Sequence, residues 1–310
     1  MTPIIIGAGL SGLIAAHAWP KAKVIEASVG PRENHKAVLR FRGEQVSALT
    51  GIPFRKVLVR KAVYSGGGFV EPNIRHANRY AFKVMGRISD RSIWNVAPSE
   101  RYVAPDDLYG RLLDNVGDRI SWGAAFDEWD VYAGGDTPIV STIPLPALLT
   151  AIGDAELNNH GQPFNFAPIQ VRRYKLPDCD VFQTIYFPDQ KTTIYRATIT
   201  GNTMIAESVV PETTSSAAFD RTDEIEFLEQ VFGIRGLILQ TDSFQKYGKI
   251  SPIDDTCRRE LINILSEDFG VYSLGRFATW RNILLDDLIG DIAAIKSLMS
   301  GDEYQRRLSK

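Results

Sequence analysis

The sequence predicts an α/β fold: a parallel-sheet domain interrupted by an inserted antiparallel-sheet domain of α+β character. Three observations carry this. Pro3-Ile4-Ile5-Ile6 is a short apolar run with β-branched residues, the pattern of a buried parallel strand, and a glycine-rich turn and a helix follow it at once. Residues 165–210 alternate in short runs broken by turn signals, the pattern of an antiparallel sheet. Beyond residue 250 the chain returns to helix, strand and helix.

The first element is the most specific. Gly7-Ala8-Gly9-Leu10-Ser11-Gly12 follows the opening strand, Leu10 to Trp19 reads as a helix, and Pro20 stops it. Lys23-Val24-Ile25 is a second strand, and it ends on Glu26, 19 residues after Gly7. Strand, glycine turn, helix, strand and terminal acid together make the Rossmann-like dinucleotide fingerprint. Gly7 makes the tight turn, Gly9 lets a pyrophosphate approach, and Gly12 lets the helix pack on the strand. The helix N-terminus offers N–H groups and partial positive charge to phosphate. Glu26 suits a ribose hydroxyl and disfavours a 2′-phosphate, so FAD or NAD is expected over NADP.

The elements that follow are less regular. Ser28 to Arg32 is a turn that brings the cation Arg32 near the adenosine phosphates. In the run His35 to Arg42, Arg40 and Arg42 share one strand face, opposite Leu39 and Phe41. Val57-Leu58-Val59 is a strand, and Ser65-Gly66-Gly67-Gly68 a break. Residues 69–104 mix aromatics with cations and read as substrate-side surface. Pro105-Asp106-Asp107 caps a helix to Val116, and Arg119 to Trp122 is the next strand. Asp127 to Asp136 reads as a polar hairpin-like patch, and Pro138 to Pro144 as a strand. Thr222 to Val231 and Cys257 to Phe269 are amphipathic helices, Val271 to Leu274 is a strand, and a last helix runs from about Ile283 to Met299.

Composition bounds the rest. The chain has 310 residues, 44% hydrophobic and 23% charged, which suits a globular protein of two domains. No apolar run reaches the length of a membrane span, so no membrane partner is expected. The strand begins too close to Met1 to leave room for a signal peptide. Cys179 and Cys257 with four histidines give no zinc spacing and no disulfide framework. A reducing, cytoplasmic compartment and no metal follow as expectations. Net charge is −2, yet Arg32 to Arg91 holds thirteen Lys or Arg against four acids, a local +9. Such a stretch suits an anionic small molecule or a nucleic acid.

Three separated pieces of the chain resemble the glutathione-reductase type of FAD flavoprotein, in the branch of amine oxidases and UDP-galactopyranose mutases. They are Gly7-Gly9-Gly12 with Glu26, the strand Val140-Ser141-Thr142-Ile143-Pro144, and Gly275-Arg276-Phe277 followed by Trp280-Arg281-Asn282 and Asp286-Asp287. The third resembles the motif that closes an FAD site, and it implies FAD rather than NAD. On this resemblance Gly7 to Gly12, Glu26, Ala27, Arg32, Thr142, Gly275, Arg276, Phe277, Asn282 and Ile283 would hold the cofactor. Tyr186-Phe187-Pro188 with Tyr195-Arg196 is similar to the mutase branch's substrate sheet. Arg40, Arg42, Tyr186, Tyr195, Arg196 and Trp280 are the candidate substrate residues. The chain is short for that branch, and Gly30-Pro31-Arg32 replaces the usual double glycine and cation. Its basic stretch from His35 to Lys61 instead resembles compact phage-encoded FAD oxidoreductases. Some of those accompany enzymes that hypermodify thymine in phage DNA, and the site would then be the host cytoplasm.

The expected cofactor domain takes residues 1–55, 105–150 and 250–310, and the substrate domain 56–104 and 151–249. The expected activity is hydride transfer from a C–N or similar donor to FAD. A non-redox sugar mutase and a non-catalytic nucleotide-binding module are the alternatives. No histidine separates itself as a base, and the catalytic residues and oligomeric state stay unassigned.

Overall fold

The computed structural model describes residues 1–31, 39–88, 93–126, 137–154, 157, 161, 163–210 and 221–308. Arg32 and the patch Asp127 to Asp136 lie outside the described residues.

Five short strands form a wholly parallel sheet: β1 (Ile4–Ile6), β2 (Lys23–Glu26), β7 (Ile120–Trp122), β8 (Ile139–Ser141) and β14 (Val271–Ser273). Their order is β14-β8-β1-β2-β7, so the N-terminal strand sits at the centre. Consecutive side chains of β1 point to opposite faces, and both faces are buried. Ile5 joins a core with α1 (Leu10–Ala18), α2 (Gln45–Thr50) and α4 (Leu108–Val116). Ile6 joins another with α5 (Leu145–Ile152) and α7 (Asp255–Glu267). Two-sided burial is why the strand reads as an unbroken apolar run.

The second sheet has nine strands: β3 (Arg40–Phe41), β4 (Arg55–Ser65), β5 (Gly68–Val70), β6 (Ser99–Val103), β9 (Phe166–Lys175), β10 (Phe182–Tyr186), β11 (Ile194–Thr200), β12 (Thr203–Val209) and β13 (Ile238–Ile250). The order is β13-β9-β12-β11-β10-β4-β6-β3, with β5 hairpinned onto β4. β9 to β12 pair antiparallel as the alternation predicts. The sheet is not purely antiparallel, because β4 and β10 pair parallel. Parallel neighbours need a long crossover, and here the chain makes it through the first sheet.

Two further expectations are corrected. The stretch 69–104 contains β5, β6 and a full helix, α3 (Ile74–Met85). Its solvent face carries both Arg79 and an exposed Phe82, which blurs the apolar period. The last helix begins later and runs further, as α8 (Leu288–Leu308), because Leu285–Asp287 forms a separate 3-10 turn. One face of the second sheet is covered by α6 (Arg221–Phe232) through Leu228, and the opposite, inner face partly by α3 through Tyr80 and Val84. Among the described residues no helix is long and apolar enough to cross a membrane.

Candidate functional site

The glycine turn sits at the carboxyl end of β1, where α/β sheets bind ligands. Gly7 has φ +97°, and a Cβ there would lie 2.6 Å from Thr142 Oγ1. A Cβ on Gly12 would lie 1.8 Å from the Gly7 carbonyl oxygen, which leaves no room at all. A Cβ on Gly9 would meet nothing within 4 Å. The three glycines therefore do different work: two permit close packing, and the middle one leaves open approach. Gly9 caps α1 with no side-chain cap, so the first-turn N–H groups of the helix have no intrahelical acceptor.

Glu26 braces this turn from β2. One oxygen accepts from the Ala8 N–H at 2.8 Å, the other from the Ser28 N–H at 2.9 Å. Thr142, just past β8, donates to the Ile6 carbonyl at 2.8 Å, and Tyr109 of α4 donates to the Ala8 carbonyl at 3.3 Å. The C-terminal motif closes the other side. Gly275, at φ +93°, faces Ser11, whose Oγ would be 2.8 Å from a Cβ there. Residues 264 positions apart in the chain thus touch at one turn.

The structure disperses the remaining residues of that motif. Arg276 donates to the Gly248 carbonyl at 3.3 Å, and its guanidinium sits 5.3 Å from the Phe277 ring centre. Trp280 is fully buried in the α5–α7 core, with φ +46° and its indole donating to the Ser251 carbonyl at 2.9 Å. A left-handed tryptophan is a strained conformation that only tight packing maintains. Ala27 and Asn282 are exposed, and the Ile283 N–H donates to the Arg281 carbonyl.

The inner face of the second sheet holds most of the remaining candidates. Register places Lys61, Thr184, Thr198, Ile205 and Arg173 in one row across β4, β10, β11, β12 and β9. Val63, Tyr186, Arg196, Glu207 and Val171 form the next row. Arg196 pairs with Glu207 through two guanidinium nitrogens, and the Tyr195 hydroxyl donates to the same carboxylate at 3.2 Å. Burial would raise the Glu207 carboxyl, but Arg196 outweighs it and holds the group down at about 2. Lys249 lies 4.5 Å over the Tyr195 ring. Tyr80 meets Tyr186 edge-on at 5.5 Å. It is held there by Lys83 one turn on, which donates to the carbonyls of Phe187, Asp189 and Ile194; burial pushes that ammonium down to about 7.

Arg40 and Arg42 part company. Arg40 reaches over the first row, donating to Thr184 Oγ1 at 3.0 Å, to Thr200 Oγ1 and to the Ile199 carbonyl. Burial first, then the Arg196 and Arg101 charges, push it down to about 10. Arg42 instead turns to the C-terminal segment and pairs with Asp286 and Asp287, while its own N–H donates to Asp286 at 2.7 Å. Strand alternation put the two on one face, but β3 ends at Phe41, so the alternation stops between them.

Sequence reasoning missed Glu207 and Lys249. A carboxylate inside Met204-Ile205-Ala206-Glu207 was the available signal for the first, since a charge in a buried strand needs a partner. The partner's position across the sheet carries no signal in sequence.

The turn fits a dinucleotide: uncapped N–H groups, an open Gly9 and a carboxylate behind it. A solved structure of reduced UDP-galactopyranose mutase superposes with a TM-score of 0.67 over 96% of this chain and 94% of that one, at 16% identity. The fold is that of UDP-galactopyranose mutase. The chain is also similar in fold to the PF1083 protein of Pyrococcus furiosus (TM-score 0.60, 11% identity, 97% and 98% covered). A third similar structure is a CLA-producing fatty acid isomerase from P. acnes (TM-score 0.60, 10% identity, 96% and 98% covered). No protein-family model matches the chain, and no curated protein matches it in sequence. At these identities the mutase likeness establishes architecture, and the chemistry rests on the chain's own residues.

Proposed function

We propose that this chain is an FAD-dependent oxidoreductase, amine-oxidase-like, which takes hydride from a C–N or similar donor. The carrying observation is the meeting of the two chain ends, where Gly275 closes against Ser11 beside the uncapped N-terminus of α1. FAD, when bound, supplies the hydride acceptor. The backbone of Ala8 to Gly12 would hold its pyrophosphate, and Glu26, with lone pairs beyond the two N–H groups it accepts, its ribose hydroxyl. A donor of this class needs to be held as the neutral amine and shielded from water, which asks for position rather than for a catalytic triad.

The proposed substrate is anionic and nucleotide-like, placed against the inner face of the second sheet. Lys61, Arg40, Arg101 and Arg196 crowd there. Burial and then Arg101 lower Lys61, as burial and neighbouring cations lower Arg40. Cations that depress one another are relieved by a bound anion. A modified base within DNA is one form such a substrate takes.

The test begins with colour. Heating should release flavin absorbance that chromatography identifies as FAD, and anaerobic amine donors should bleach the bound flavin. A colourless protein that FAD does not reconstitute would end this reading. Turnover of UDP-galactopyranose that requires added reductant would move it to non-redox chemistry.

A further inference from the structure

Three cations from three strands meet on the inner face of the second sheet, and among the described residues none of them pairs with an acid. Lys61 stands on β4 in one row with Thr184 of β10 and Thr198 of β11. Arg101 of β6 lies opposite Val57, which shares the Lys61 face of β4. Arg40 reaches over from β3 and turns its guanidinium onto two threonine hydroxyls and a carbonyl. Arg101 donates to the Glu100 carbonyl at 2.6 Å. Cations nearby are balanced differently: Arg55 pairs with Asp180, Lys56 with Glu100 and Arg196 with Glu207. Lys61 and Arg101 are half-buried, so their charged ends stay within reach of a ligand.

We propose that Lys61 and Arg101 clasp a phosphate monoester, the dianionic end of a free nucleotide, with Arg40 behind them as a fixed charge. This rests on the anionic substrate placed at this face above, and it selects a free nucleotide over one held within a chain. A phosphate monoester carries a charge of about −1.5 to −2 and three acceptor oxygens. An arginine fork takes two oxygens of such a group, and a lysine, as a point charge, takes the third. A diester within a nucleic acid has one charge and two free oxygens, so it leaves one of these cations unanswered. Burial and then Arg101 lower Lys61, and Arg40 is lowered by burial first, then by Arg196 and Arg101. A dianion relieves that mutual repulsion more fully than a monoanion.

Titration calorimetry on the full chain, with FAD in excess to fill the glycine turn, compares thymidine 5′-phosphate with its methyl ester. The ester keeps the nucleoside and loses one charge. The monoester should bind at least about tenfold tighter, and inorganic phosphate should compete with it. Lys61→Gln should weaken the monoester at least about tenfold while Tm holds or rises, because a repelled charge is gone. Lys61→Arg should recover most of the binding. Equal affinity for the two nucleotides, or monoester binding indifferent to both Lys61→Gln and Arg101→Gln, would overturn the inference. A colourless chain that binds thymidine 5′-phosphate through Lys61 would end the flavin reading and uphold this one. A flavoprotein that binds monoester and ester alike would do the reverse.

Discussion

The glycine turn and the inner face of the second sheet build polar environments by opposite means. The turn uses backbone: N–H groups, three glycines and one carboxylate, nearly all within the first 26 residues. The inner face uses side chains carried by separate strands, with Glu207 on β12 answering Arg196 on β11 and Arg40 arriving from β3. A backbone site is fixed by what is absent, so adding one methyl group breaks it. A side-chain site is fixed by charge balance, so removing one partner breaks it.

That contrast is sharpest at Gly12. Gly12→Ala drives a Cβ into the Gly7 carbonyl, and overpacking at a site this rigid should remove about 3 kcal/mol of stability or more. Gly9→Ala has open space, so urea unfolding should be unchanged while flavin titration shows weaker FAD binding. Equal effects of the two would erase the distinction between packing and approach.

Glu207→Gln tests the charge-balanced side. It leaves the Arg196 guanidinium half-buried without its counter-charge, and the loss should be about 2–4 kcal/mol. The same pair sets an acid limit. The Glu207 carboxyl is held at about 2, below its ordinary 4.5, so its stabilisation is complete above pH 4.5 and is lost as pH falls toward 2. The span is worth about 3 kcal/mol by linkage. Thermal unfolding between pH 5 and pH 2 should therefore fall more steeply in the parent chain than in Glu207→Gln, and parallel curves would contradict the pairing.

A smaller effect is expected at Glu26, whose carboxylate braces Ala8 and Ser28. Glu26→Ala should weaken FAD binding by about 1.5–3 kcal/mol, the scale of a hydrogen bond to a charged group. The smallest belongs to Arg42, whose side chain is 49% exposed. Arg42→Ala should change stability by no more than about 1 kcal/mol, and less at high salt. A large, salt-independent loss would mean that the tie to Asp286 and Asp287 does more than join two surface turns.

The difference between the regions also explains what the sequence could say. The turn is local: its strand, glycines, helix and acid follow in order, and each has a backbone reason. Thr142 and Gly275 were found through motifs of their own, and the structure puts both against the turn. The inner face depends on register, and register comes from which strands meet. Nothing between Arg196 and Glu207 announces that they are direct neighbours, and nothing in β4 announces a parallel partner 120 residues later. The basic stretch meets a related limit. Arg40, Arg42, Arg79 and Lys83 each find partners inside the fold, from segments over 100 residues distant, so a linear count of charge overstates what a ligand meets.

The contact between Gly275 and Ser11 has a consequence for how the molecule comes into being. On a ribosome the glycine turn emerges first and the second sheet follows, yet β14 and Gly275 arrive after every strand of that sheet. The turn must wait, with one wall missing, for most of translation. A chain cut anywhere before residue 271 lacks the outer strand of the parallel sheet and the glycine that closes on Ser11. Tight flavin capture would then report synthesis beyond Gly275: colour would mark only those copies whose translation had run past the closing turn.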